Sequence, residues 1–217
     1  AMTIRLDVNG MMASSVGARG IEEDTVTALV PRMTEIYTAL RARRQAGTLP
    51  FYDLPYQAAE VAKIKSLVES IKPDCDALVV LGIGGSALGT RALYQALLPP
   101  FVAKKPALFV ADNIDPASFG ILLDHLDLSR TIFNVISKSG ETAETMAQFL
   151  IVRQLLAEKL DADALRRQIV VTTDAQSGYL RPLVGKAGWR DLIIPAGVGG
   201  RFSVFTPVGL FPAALVG

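Results

Sequence analysis

Two spacings of hydrophobic residues divide this chain. Up to about residue 71 the apolar positions recur every three or four residues. Val26, Leu29, Val30, Met33, Ile36, Tyr37 and Leu40 share one face of a segment from Glu22 to Ala46, and Ala59, Val61, Ile64 and Leu67 share one face from Tyr56 to Ile71. This period predicts two amphipathic helices, the first carrying Pro31 as a candidate kink, joined by a turn-rich connector over Pro50 to Pro55. From Asp76 onward the pattern changes to short continuous apolar runs: Ala77 to Leu81, Ala107 to Val110, Thr131 to Ile136, Gln168 to Thr172 and Asp191 to Ile194. Helical spacing returns between them, at Ser86 to Leu98, Pro116 to Leu126, Glu141 to Lys159 and Gly178 to Gly185. Runs that are apolar without alternation, joined by helical crossovers, predict parallel strands buried on both faces.

The fold class is therefore α/β: a three-layer αβα sandwich on a five-stranded, doubly wound parallel sheet of flavodoxin type, preceded by N-terminal helices. The helical segment is expected over residues 1–72 and the sheet domain over 73–217. A doubly wound sheet of five strands takes the order 2-1-3-4-5, which sets the loops after strands one and three on either side of the switch-point crevice.

Both of those loops carry anion chemistry. After strand three, Ile136 gives way to Ser137-Lys-Ser-Gly-Glu-Thr142, a cluster of hydroxyls with one lysine and one glycine at a helix start. A helix N-terminus offers unpaired N–H groups and partial positive charge, hydroxyls donate without adding charge, and an ammonium suits a phosphate. The alternative reading is that serine, glycine and threonine merely cap the helix. After strand one, Gly82-Ile-Gly-Gly-Ser-Ala-Leu-Gly89 lets backbone N–H groups approach an anion, with Ser86 adding a hydroxyl. Gly82, Gly84 and Ala87 also match a dinucleotide fingerprint, with Asp112 placed as its ribose carboxylate, so a nucleotide cofactor is a rival reading. It leaves the Ser137 loop unexplained.

Composition narrows the classes. Twenty-two basic against 21 acidic residues give a net charge of +1 over 217 residues, which supplies no broad field for nucleic acid or an anionic membrane. The single cysteine, Cys75, excludes a disulfide framework and a cysteine-based metal cluster, fits a reducing cytosol, and reads as a small buried hydrophobe. No apolar run reaches the roughly 20 residues that span a bilayer. Ala1 before Met2 looks like the remnant of a tag, and the apolar stretch from Val204 to Gly217 looks like a cut inside a longer protein. That stretch is expected to be exposed and to promote self-association.

Three segments together resemble the N-terminal part of the glucose-6-phosphate isomerase family, built on the sugar isomerase (SIS) fold: Gly82 to Gly89, Ser137 to Thr145, and Gly199-Gly-Arg-Phe-Ser-Val-Phe-Thr-Pro-Val-Gly209, the most specific of them. The resemblance implies that Gly85, Ser86, Ser137, Lys138, Ser139 and Thr142 bind the phosphate of a hexose phosphate, that Gly200 contacts substrate, and that Arg201 is the catalytic arginine beside the enediolate. It gives Glu144 the role of orienting a ring-opening histidine. It implies no cofactor and no metal, a cytoplasmic enzyme of glycolysis and gluconeogenesis, and a homodimeric full-length protein. Ala196 departs from the family pattern, which usually has a polar or acidic residue there. The sole histidine, His125, lies in a crossover segment, and Glu141 and Glu144 sit beside the phosphate loop. The family's catalytic glutamate, its histidine and a lysine are expected beyond residue 217, so this chain would carry half of an active site and be inactive alone. A non-catalytic phosphosugar-sensing SIS domain is the alternative.

Overall fold

The computed structural model describes residues 5–98 and 105–217, arranged in two compact units, Ala1–Leu49 and Pro50–Gly217. The first holds a single turn, α1 (Ala13–Val16), and the long helix α2 (Glu23–Gln45). Helix α2 runs through Pro31, and none of its residues is buried, so the apolar face read from its spacing is open in this structure.

The second unit begins at Pro50, earlier than the boundary at residue 73 read from the sequence. Helix α3 (Ala58–Ile71) belongs to it because Ile64, Val68 and Ile71 pack into the sheet's core, while Val61, expected on the inner face, is exposed. The strands are β1 (Ala77–Leu81), β2 (Ala107–Ala111), β3 (Thr131–Ile136), β4 (Ile169–Asp174) and β5 (Arg190–Ile194). All pair in parallel in the order β2-β1-β3-β4-β5, the order expected. Every residue of β1 and β3 is buried, so β1 reads as an unbroken apolar run, while β3 carries Asn134 within it, whose Oδ1 accepts from the Thr172 hydroxyl at 2.9 Å.

Helices α4 (Gly85–Leu97), α5 (Pro116–His125), α6 (Ala143–Lys159), α7 (Ala162–Gln168), α8 (Leu180–Ala187) and α9 (Pro207–Val216) complete the unit. On one face of the sheet Val79, Phe133, Val135 and Val171 meet Phe119 and Leu123 of α5, Phe149 and Val152 of α6 and Val184 of α8. On the other, Leu78, Val80, Ile132 and Val170 meet α3 and Val208, Phe211 and Leu215 of α9. The three-layer αβα sandwich is thus the architecture. Burying each of these large side chains contributes about 1.5 to 3 kcal/mol.

The C-terminal segment corrects an expectation. Instead of lying exposed, it forms α9, with Phe211 and Leu215 fully buried against the sheet. Pro207 stands at the first position of that helix, where no N–H is needed, and the Thr206 hydroxyl accepts from the Val208 N–H at 3.2 Å. A self-associating apolar tail therefore has no basis here. Among the described residues no helix is long and apolar enough to cross a membrane, and no cluster of three metal-ligating side chains occurs.

Candidate functional site

Parallel strands deliver their C-terminal ends to one edge of the sheet, and the order puts β1 between β2 and β3. The loops after β1 and β3 meet there: a Cβ added to Gly82 would come within 3.3 Å of the Ile136 carbonyl oxygen. A cleft opens between them, lined by Ile83, Gly85, Ser86, Ser137, Lys138, Ser139, Thr142, Ser177 and Gly200.

The loop after β3 is folded by its own hydroxyls. Ser137 Oγ accepts from the Gly140 N–H at 3.0 Å and Ser139 Oγ from the Glu141 N–H at 3.1 Å. Used as acceptors by the loop, both hydroxyls keep their protons to donate. Thr142 is the N-cap residue of α6, yet its side chain makes no capping bond, so the helix-cap reading of this sequence is not what the hydroxyl does here. Neither the Lys138 nor the Ser139 N–H finds an acceptor among the described residues. Unpaired N–H groups, uncommitted hydroxyl protons and the first turn of α6 together form a neutral donor array suited to an anion.

Lys138 supplies the charge. Its Nζ donates to the Val198 carbonyl at 3.2 Å, which ties the loop after β3 to the segment before Gly200 and leaves further ammonium protons for a ligand. The turn Gly200–Phe205 is held close to the loop after β1: a Cβ at Gly85 would collide with the Gly200 carbonyl, so only glycine permits this approach. Ser203 Oγ donates to the Gly200 carbonyl at 2.6 Å, and the Phe202 ring stacks on Phe51 at 4.7 Å.

The structure brings Gly85, Ser86, Ser137, Lys138, Ser139, Thr142 and Gly200 into one cleft. Arg201 follows Gly200 but is exposed, is not among the lining residues, and has no hydrogen-bond or ion-pair partner among the described residues. Glu144, half-buried in the first turn of α6, lies next to the cleft without lining it. His125 ends α5, at the opposite edge of the sheet from the cleft, and its Nδ1 lies 2.9 Å from the Ile121 carbonyl. Asp112, the ribose ligand of the nucleotide reading, is engaged in an ion pair with Arg91. Ser177 also lines the cleft, outside the motifs read from the sequence. It reaches the cleft because β4 neighbours β3, so the loops after them touch, and the only hint in the sequence is Asp174 with a serine three residues on, an Asx-turn pattern. Asp174 Oδ1 indeed accepts from the Gln176 and Ser177 N–H groups at 2.9 and 3.0 Å, and these bonds hold its carboxyl below the usual aspartate range.

The family model for phosphoglucose isomerase matches residues 56–217. A glucose-6-phosphate isomerase of Carboxydothermus hydrogenoformans is 37% identical over the whole of this chain and 48% of its own length. Another, of Bacillus thuringiensis, is 41% identical over 91% of this chain and 46% of its own length. Among solved structures, a hypothetical protein of Thermus thermophilus superposes with a TM-score of 0.81 at 35% identity, over 89% of this chain and 46% of that one. A glucose-6-phosphate isomerase of Chlamydia trachomatis does so with a TM-score of 0.63 at 28% identity, over 73% of this chain and 29% of that one. The chain spans about half the length of the curated relatives it matches.

Proposed function

The chain belongs to the phosphoglucose isomerase family, and from that membership and the cleft we propose that it holds the phosphate of a hexose 6-phosphate during interconversion of glucose 6-phosphate and fructose 6-phosphate. The observation that carries the reading is the convergence of Ser86, Ser137, Ser139 and Thr142 hydroxyls with Lys138 in one cleft between two loops. Two loops gripping one anion suit a monophosphate, whereas a dinucleotide requires only the first. The curated relatives are named for the reaction.

Moving a carbonyl between C1 and C2 needs a base to take the proton beside the carbonyl and a cation to stabilise the enediolate oxygens. In our reading Arg201 is that cation: a guanidinium stays protonated, offers forked donors and does not compete as a proton source. Its freedom from other partners among the described residues leaves it available. Glu144, beside the phosphate grip, orients a ring-opening histidine contributed from outside these residues, and the base comes from outside as well. Phosphate binding, remote from the reacting carbons, supplies positioning energy. The working protein is proposed to be a cytoplasmic homodimer.

Titration calorimetry with fructose 6-phosphate and, separately, NADH and NADPH tests the assignment. Binding of the sugar phosphate without the dinucleotides is expected. Dinucleotide binding without the sugar phosphate would overturn it.

A further inference from the structure

The segment after β4 does more than border the cleft. It takes up, one after another, three successive carbonyls of the loop after β3. Thr173 Oγ1, fully buried, lies 2.8 Å from the Ser137 carbonyl oxygen and 3.2 Å from that of Lys138. The Asp174 N–H donates to the Lys138 carbonyl at 3.3 Å, and the Tyr179 N–H to the Ser139 carbonyl at 2.8 Å. In a trans peptide the carbonyl and the following N–H point in opposite directions. Holding the carbonyls of Ser137 and Lys138 against β4 therefore turns the N–H groups of Lys138 and Ser139 the other way, and these are the N–H groups that lack an acceptor among the described residues. Gly178 fits the arrangement: at φ +88° a Cβ would collide with the Ser139 carbonyl, so the two backbones meet only because this residue is glycine.

Resting on the phosphate-site reading above, we infer that Thr173 is a positioning residue for that site: its buried hydroxyl, touching no ligand, fixes the peptide planes that aim the Lys138 and Ser139 N–H groups at the bound phosphate. The ligand is a monophosphate dianion, and the contribution is preorganisation. Valine is close to threonine in shape but sets a methyl against the Ser137 carbonyl in place of the donor, whereas serine keeps the donor.

The test is calorimetric titration of the 217-residue chain with fructose 6-phosphate, in wild type, Thr173→Val, Thr173→Ser and, as a control on the site itself, Ser139→Asp. Thermal melting of each variant is followed alongside. Thr173→Val is expected to bind about tenfold more weakly at a temperature where it is fully folded, with Thr173→Ser restoring most of the affinity. In parallel, the Lys138 and Ser139 amide proton resonances of the wild type are expected to move downfield on adding inorganic phosphate. If Ser139→Asp abolishes binding while Thr173→Val binds as the wild type does, the positioning role is wrong and the site stands. If Thr173→Val does not fold, amide resonances at 138 and 139 that ignore phosphate overturn the role on their own. If the wild type binds no phosphate, the site reading and this inference fall together.

Discussion

Replacing Ser139 by aspartate changes the charge of the cleft while sparing the loop. Ser139 Oγ accepts the Glu141 N–H at 3.1 Å, and an aspartate at the same position accepts that bond equally well, so the turn into α6 should survive. What changes is that a donor becomes an acceptor-only anion in a cleft built of donors. Unit charges about 4 Å apart interact by about 1 kcal/mol in water and about 4 kcal/mol near a protein surface, and a phosphate carries nearly two charges. The cleft is open and Ser139 half-exposed, so the low end applies, about 2 kcal/mol. Losing a hydroxyl donor to a charged group costs about 1.5 kcal/mol or more. Together these weaken fructose 6-phosphate by a few hundredfold, about 3 to 4 kcal/mol. Calorimetry reads the affinity, and circular dichroism melting checks that the variant is folded. Because part of the penalty is Coulombic between partly exposed charges, it should shrink as salt is raised. An affinity within threefold of wild type in a folded Ser139→Asp protein would refute the placement of the phosphate.

In a full-length protein containing these residues, Arg201→Ala is expected to lower kcat by about 10² to 10³ with a smaller change in KM, as loss of an enediolate-stabilising cation requires; wild-type kcat with a raised KM would make Arg201 a ground-state binder. The isolated chain should bind fructose 6-phosphate but not isomerise it, and turnover above that of an Arg201→Ala control would show that a base lies within it. Acid should destabilise the fold. Arg130 beside Asp76, the Ser118 and Ser129 hydroxyls on Asp115 and Asp127, and backbone N–H groups on Asp161 and Asp174 hold these carboxyls low, so their contribution is present above the ordinary aspartate range of about 4 and is lost as pH falls through the lower folded values. Burial pushes the Cys75 thiol up to about 11, so it should resist Ellman's reagent at pH 8 in the native protein and react once unfolded.

The sheet was legible because its physics is local and strong. Strands buried on both faces favour apolar residues, so β1 appears in the sequence as an uninterrupted run and β3 as one broken by Asn134, each with the limits the structure gives it. The loops after them were legible for a related reason: glycines and hydroxyls are seldom placed between an apolar strand and a helix without a turn or a ligand to serve. Helix α7 went unread because Leu165 is nearly its only large apolar residue, too few to show a period. Helix α9 is apolar all round, which itself points to burial, and the expectation of exposure fails because the sheet in this structure covers it. Ser177 and Thr173 lay beyond reach for a different reason. Their roles depend on β4 lying beside β3, and adjacency of loops is a property of the assembled sheet.

The central claim is that one phosphate sits between the loops after β1 and β3. A crystal structure of the chain with fructose 6-phosphate tests it most directly. The account predicts phosphate oxygens within about 2.6 to 3.0 Å of the Ser86, Ser137, Ser139 and Thr142 hydroxyls and the Lys138 and Ser139 N–H groups, with the sugar directed toward Gly200. A phosphate bound elsewhere, or a cleft left empty at saturating sugar phosphate, would contradict it.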